Sequence, residues 1–424
     1  MNKAYPETPM NTTGKTIEMQ VAEHENESYF KISNHDLMRP FFMSIVSDSN
    51  HWMFIASNGG LTAGRKNPEL SLFPYYTDDK IIESSDITGS KSVFQIRADD
   101  QIHVWEPFSI RFTGKYSISR NLYKSIYGNK IIFEEINHDF GLIFRYQWNS
   151  SKVYGFVKKS ALVNTSDKDY TITLLDGLQN IMPYGVPSDL QRSTSNLVDA
   201  YKRSELEPES GTGIFALSAI IVDKAEPSEA LKANIAWSLG LDHPKYLLSS
   251  LQLDHFRQGG VISEETDIKG EKGAYFVCKE ILLPARSEKN WKLIANVNQH
   301  HAQIISLCQE INHVADLEQK IQEDIDSGTE KVIELVASAD GLQFSADQLS
   351  DARHFSNVLF NIMRGGIFDH GYLIKKEDFV SYLLKANREV VAGNQAFIDK
   401  LPENFSRSSL QNLLSGIEDA DLIR

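Results

Sequence analysis

Hydrophobic positions follow two rhythms along the chain, and the change falls near residue 300. Before it, short apolar or alternating runs are separated by turn residues, the pattern of a many-stranded β domain. Lys130 to Trp148 shows it best: Ile131–Ile136 and Leu142–Trp148 flank Asn137-His138-Asp139-Phe140-Gly141, which predicts two strands joined by a hairpin turn. Further strands are expected over Val153–Val163, Tyr170–Leu175, Gly213–Val222, Ala233–Leu239, Ala274–Leu283 and Trp291–Val297. After residue 300 the spacing becomes three and four: Ile304, Leu307, Cys308, Ile311, then Leu317, Ile321, Ile325, Val332, Leu335 and Val336. Phe355, Val358, Leu359, Ile362 and Phe379, Leu383, Leu384 continue this helical amphipathicity. The expected fold is mainly β, a large antiparallel super-sandwich over residues 1–300, followed by an α-helical segment over 301–424. The polar stretch Asp189–Asn196 reads equally as an inserted loop or a short helix.

Composition sharpens the division, since 12 of 13 prolines and all five tryptophans lie at or before Trp291. The chain of 424 residues is long enough for roughly two to three domains. Forty-three basic against 57 acidic residues leave a net charge of −14, which opposes a nonspecific grip on nucleic acid or anionic lipid. Residues Ala315 to Arg424 carry 11 basic and 19 acidic residues, read as solvated helix faces. Cys278 and Cys308 are too few for a disulfide framework, which suits a reducing compartment. The N-terminal stretch lacks a secretory apolar core, and apolar runs of about ten residues fall short of the about twenty a membrane helix needs. A cytoplasmic location is expected, with neither nucleic acid nor membrane as partner.

Most chemical motifs fail on context. Gly211-Thr212-Gly213-Ile214-Phe215-Ala216 spells a dinucleotide-binding turn, yet a β run follows where a helix is required. Asp324-Ile325-Asp326-Ser327-Gly328 misplaces the glycine of a calcium loop. The histidines show no metal-ligand spacing, and neither a nucleophile elbow nor a phosphate-binding loop occurs, so no metal or cofactor is expected. Carbohydrate chemistry remains, in which aromatic faces and paired carboxylates surround a sugar. Adjacent acids such as Glu134-Glu135 point to opposite faces of a strand and are no evidence of a catalytic pair. Trp105-Glu106-Pro107 could line a sugar site; the competing reading is a tryptophan buried in the sandwich core.

Ser57-Asn58-Gly59-Gly60-Leu61-Thr62-Ala63-Gly64-Arg65, followed by Leu72-Phe73-Pro74-Tyr75-Tyr76, resembles a segment near the start of cellobiose and chitobiose phosphorylases and of the phosphorylase-like part of cyclic β-glucan synthases. Trp105-Glu106-Pro107 and the stretch Leu162-Val163-Asn164-Thr165-Ser166-Asp167 with Tyr170–Gly177 fall in the same order as family elements. The resemblance implies a galactose-mutarotase-like super-sandwich, then a helical linker leading to a catalytic barrel that is absent here. Leu61 departs from the aromatic residue usual after the double glycine. It further implies that catalytic residues lie outside this chain, and that the sandwich shapes the rim of a sugar site. Asn58 and Arg65 are the candidates for that rim, joined by Trp105 and Glu106; for Arg65 the competing reading is a surface salt bridge. The implied partners are an oligosaccharide or sugar, inorganic phosphate in a longer protein, and a second copy in a homodimer. Alternatives are a dimerisation module or a stand-alone mutarotase-like epimerase, for which His103 with Glu106, or His51 with Glu134, are nominal acid–base pairs.

Overall fold

The computed structural model describes residues 15–192, 196–218, 231–364, 373–417 and 419–423, and divides into two compact units, the first ending at Gly328 and the second beginning at Thr329. Expected features at residues 1–14, 193–195, 219–222, 418 and 424 lie outside the described residues.

The first unit is an antiparallel multi-sheet sandwich. Among the described residues its largest sheet has eleven strands. In spatial order they are β1 (Glu18–His24), β2 (Glu27–Ser33), β9 (Ile118–Ser125), β10 (Ile131–Asn137), β11 (Leu142–Ser151), β12 (Gly155–Asn164), β20 (Glu288–His300), β16 (Lys232–Leu239), β15 (Thr212–Leu217), β14 (Lys202–Glu207) and β18 (Asp267–Lys269). A five-stranded sheet orders β17 (Lys245–Leu247), β19 (Gly273–Leu283), β13 (Tyr170–Ile181), β7 (Gly89–Ala98) and β8 (Gln101–Trp105). A four-stranded sheet runs β3 (Phe42–Ile45), β4 (His51–Ala56), β5 (Leu61–Arg65) and β6 (Ser71–Phe73). The hairpin read from the sequence is β10–β11, with Ile131 opposite Trp148 and Asn137 opposite Leu142.

Alternation decides which side chains meet. Phe133, Phe144, Trp148 and Phe156 of the large sheet share one core with Phe94 and Leu174 of the second and Met53 and Leu61 of the third. Burying such side chains contributes about 1.5–3 kcal/mol each, which is why the inward positions are nearly all apolar. Asp176 and Lys158 are a charged exception. Both are wholly buried, 2.5 Å apart, and Asp176 also accepts from Ser92, Ser160 and the Trp291 indole.

Short helices α1 (Asp78–Glu83), α2 (Ser188–Arg192), α3 (Asn196–Tyr201) and α4 (Leu253–Arg257) decorate the loops. Helix α5 (His301–His313) begins where β20 ends, and α6 (Leu317–Ser338) follows. Leu317, Ile321 and Ile325 of α6 cover Tyr154, Val157, Trp237 and Ile294 on the outer face of the large sheet. The change of rhythm at residue 300 therefore marks a change of element, while the compact unit continues to Gly328.

In the second unit the rest of α6 meets α7 (Gln348–Met363) at a tight turn, where a Cβ on Gly341 would lie 2.3 Å from Val336 and 2.8 Å from Val358. Asp347 caps α7 by accepting from the backbone of Leu349 and Ser350. Strands β21 (Leu373–Lys375) and β22 (Asn404–Ser406) pair around helices α8 (Lys376–Ala386), α9 (Arg388–Gly393) and α10 (Gln395–Asp399), and α11 (Arg407–Leu414) and α12 (Ala420–Ile423) follow. No described helix is long and apolar enough to cross a membrane.

Candidate functional site

The double glycine of the Asn58 segment serves close packing. Gly59 sits at φ +89°, and a Cβ on Gly60 would stand 1.9 Å from the Ile81 carbonyl oxygen, so only this turn lets α1 lie against it. Asn58 fastens the contact: its amide nitrogen donates to the Ile82 carbonyl at 2.9 Å and to Ser85 Oγ at 3.3 Å. Helix α1, so held, forms one wall of a cleft of about 350 Å3, a volume suited to a small ligand.

The opposite side is set by an irregularity. The pairing of β13 with β19 slips between Gln179 and Ile181, and Asn180 is left as a bulged residue at φ 56°. The bulge turns a residue of the sandwich into part of the cleft lining, 4% exposed, with its amide nitrogen donating to Thr88 Oγ1 at 3.0 Å. Tyr76 lines the cleft beside Asn180, and burial raises the Tyr76 pKa, so the phenol stays protonated and able to donate. Gln191 secures the segment at Tyr75, accepting from Tyr75 N at 2.9 Å and donating to the Val186 carbonyl at 2.8 Å. Lys202 and Asp199 form a 2.7 Å ion pair on the rim, and Ile87, Met182 and Val198 supply apolar surface. The cleft thus combines an aromatic ring, amide and charged groups, and apolar patches.

Of the residues singled out by sequence, Asn58 stands behind this cleft and the others lie outside its lining. Arg65 ties two turns to strand β20, donating to Asn50 Oδ1 at 2.8 Å, Asn296 Oδ1 at 3.1 Å and the Lys152 carbonyl at 3.1 Å. Trp105 is 1% exposed in the core, its indole donating to Glu135 at 2.7 Å. Glu106 is equally buried and receives both nitrogens of an Arg257 fork at 2.8 and 2.9 Å, with Lys91 at 3.3 Å. Asn58, Arg65, Trp105 and Glu106 thus have four separate sets of side-chain partners.

The nominal acid–base pairs are engaged elsewhere. His51 meets Ser49 Oγ at 2.8 Å and the Phe156 ring at 4.9 Å, and burial pushes its pKa down to about 3. Glu134 accepts from Asn121, Tyr123 and Arg145, and no hydrogen-bond partner joins it to His51 among the described residues. His103 packs on Phe140. The Gly211 turn links β14 to β15 in a hairpin, and Asp324 and Asp326 lie within continuous α6. Among the described residues no group of histidine, cysteine and carboxylate side chains could hold a metal. Asn180 and Gln191 gave no signal in the sequence, because a bulge and a cross-chain tether arise only from pairing with distant strands.

Comparison with known proteins places the C-terminal end first. Residues 368–424 match the model of glycoside hydrolase family 149 insertion domain 1. No curated protein matches the chain. Among solved structures, a bacterial glucoamylase complexed with acarbose is 10% identical, with a TM-score of 0.42 over 86% of this chain and 52% of its own. A protein described as a kojibiose phosphorylase from the human microbiome is 11% identical, with a TM-score of 0.35 over 78% of this chain and 35% of its own. One described as an aldose 1-epimerase from Klebsiella pneumoniae is 11% identical, with a TM-score of 0.29 over 73% of this chain and 88% of its own. The chain therefore spans about half the length of the glucoamylase and about a third of the phosphorylase.

Proposed function

We propose that this chain is a non-catalytic part of a carbohydrate-active protein of glycoside hydrolase or phosphorylase type, and that its sandwich binds one sugar unit in the Tyr76–Asn180 cleft. The observation that carries the site is the bulge that presents buried Asn180 beside the Tyr76 phenol. The family match at residues 368–424 supports the substrate class. The chemistry agrees with it: a sugar offers hydroxyls to the Tyr76, Asn180, Asp199 and Lys202 groups and a C–H face to the ring and the apolar patches. Asn58 acts one step behind, as the residue that positions α1.

Ligand-observed NMR with a panel of neutral mono- and disaccharides tests the reading. Saturation transfer to at least one sugar is expected, with affinity weakened about tenfold or more by Tyr76→Ala, equivalent to about 1.4 kcal/mol. Binding that is absent from the wild type, or unchanged by Tyr76→Ala, contradicts it.

A further inference from the structure

A second hollow lies on the outer face of the large sheet, and its lining shares no residue with the Tyr76–Asn180 cleft. Register builds it. Gln147, Lys159 and Lys292 stand opposite one another across β11, β12 and β20, and Arg145, Ala161 and Asn290 form the next row. Ala161 is the small residue between two long ones, and it gives a cavity of about 240 Å3 its depth. The row on the other side of Lys159, Val157 with Ile294, is apolar and covered by α6. The same strands thus turn polar where the helix stops covering them. The His24–Glu25 turn, Glu288 and the α6 side chains Glu318 and Gln322 complete the wall.

A solvated sheet face would leave these polar groups in water. Instead Gln147 is 6% exposed, and the Lys159 and Lys292 side chains are 18% and 11% exposed. Two lysines directly opposite on antiparallel strands repel, so the arrangement needs negative charge nearby. Lys292 has it in a Glu318 ion pair. Among the described residues Lys159 forms an ion pair with Glu25 alone, at 3.9 Å and 63% exposed, which contributes little. Arg145 gives its Nε to Glu134, and its two terminal nitrogens have no partner among the described residues. The Gln147 amide nitrogen donates to Tyr29 at 3.0 Å. Donors are in excess on the floor, and the carboxylates Glu25, Glu288 and Glu318 stand exposed on the rim.

We propose that the hollow over Ala161 binds a small oxyanion, a phosphate or a carboxylate, held by Arg145, Lys159 and Asn290. At roughly 30 Å3 per water, the volume admits one such group with a few waters. The reading is independent of the sugar cleft.

Isothermal titration of the intact chain with inorganic phosphate and, separately, acetate, at constant ionic strength set with chloride, provides the test. One of the two anions is expected to bind, which separates a phosphate ligand from a carboxylate. Lys159→Met should weaken it at least tenfold and Ala161→Leu, which fills the hollow while keeping every charge, should abolish it; Tyr76→Ala should leave it unchanged. Failure of both anions to bind overturns the proposal, as does binding that survives both floor substitutions.

Discussion

His35 and His51 show what burial costs a titratable side chain. Both are buried, and desolvation lowers their pKa values to about 4 and about 3, so both stay neutral in the folded protein. Unfolded, each would titrate near 6.5. Because the folded pKa is the lower one, the unfolded chain takes up protons first, and stability is lost as pH falls from about 6.5 toward 4 and 3. By pH 5 each histidine removes about 2 kcal/mol. Urea unfolding at pH 7.5 and 5.0 should show the midpoint dropping, and His51→Gln should shrink the drop; equal midpoints at the two pH values in the wild type would show that these imidazoles are not held neutral. Lys158 and Asp176 solve the same difficulty differently, by pairing and by hydrogen bonds from Ser92, Ser160 and Trp291.

At the scale of elements, the period of the sequence was a good guide wherever structure is local. The β10–β11 hairpin needs only its own alternation and turn, and helices α5 to α8 need only their own apolar stripe. What depends on distant partners was illegible. Glu106 looked like a sugar-site acid because the Arg257 that neutralises it lies 151 residues away. Asn180 was invisible because a bulge is a property of β13 against β19, not of β13 alone. The double glycine was legible as a place of close approach, and the element that approaches it is α1. That assignment has a consequence: Gly60→Ala should push α1 off its seat, open the cleft and weaken sugar binding as much as Tyr76→Ala does. Hydrogen exchange should then show faster exchange at Ile81 and its neighbours, and an unchanged α1 would refute the role given to the turn.

The whole molecule separates into a β-rich unit and a helix-rich unit. The family match falls on residues 368–424, within the second unit, while the cleft, its bulge and the polar hollow all belong to the first. The expected mainly β sandwich with a helical C-terminal segment is the fold observed. The proposed function requires the sandwich to hold a sugar between the Tyr76 ring and Asn180. A crystal structure with a bound saccharide, chosen as the tightest in the NMR panel, tests it most directly. A sugar ring against Tyr76 with a hydroxyl in hydrogen-bond reach of the Asn180 amide is expected; a sugar bound elsewhere, with the cleft holding only water, would refute the proposed site.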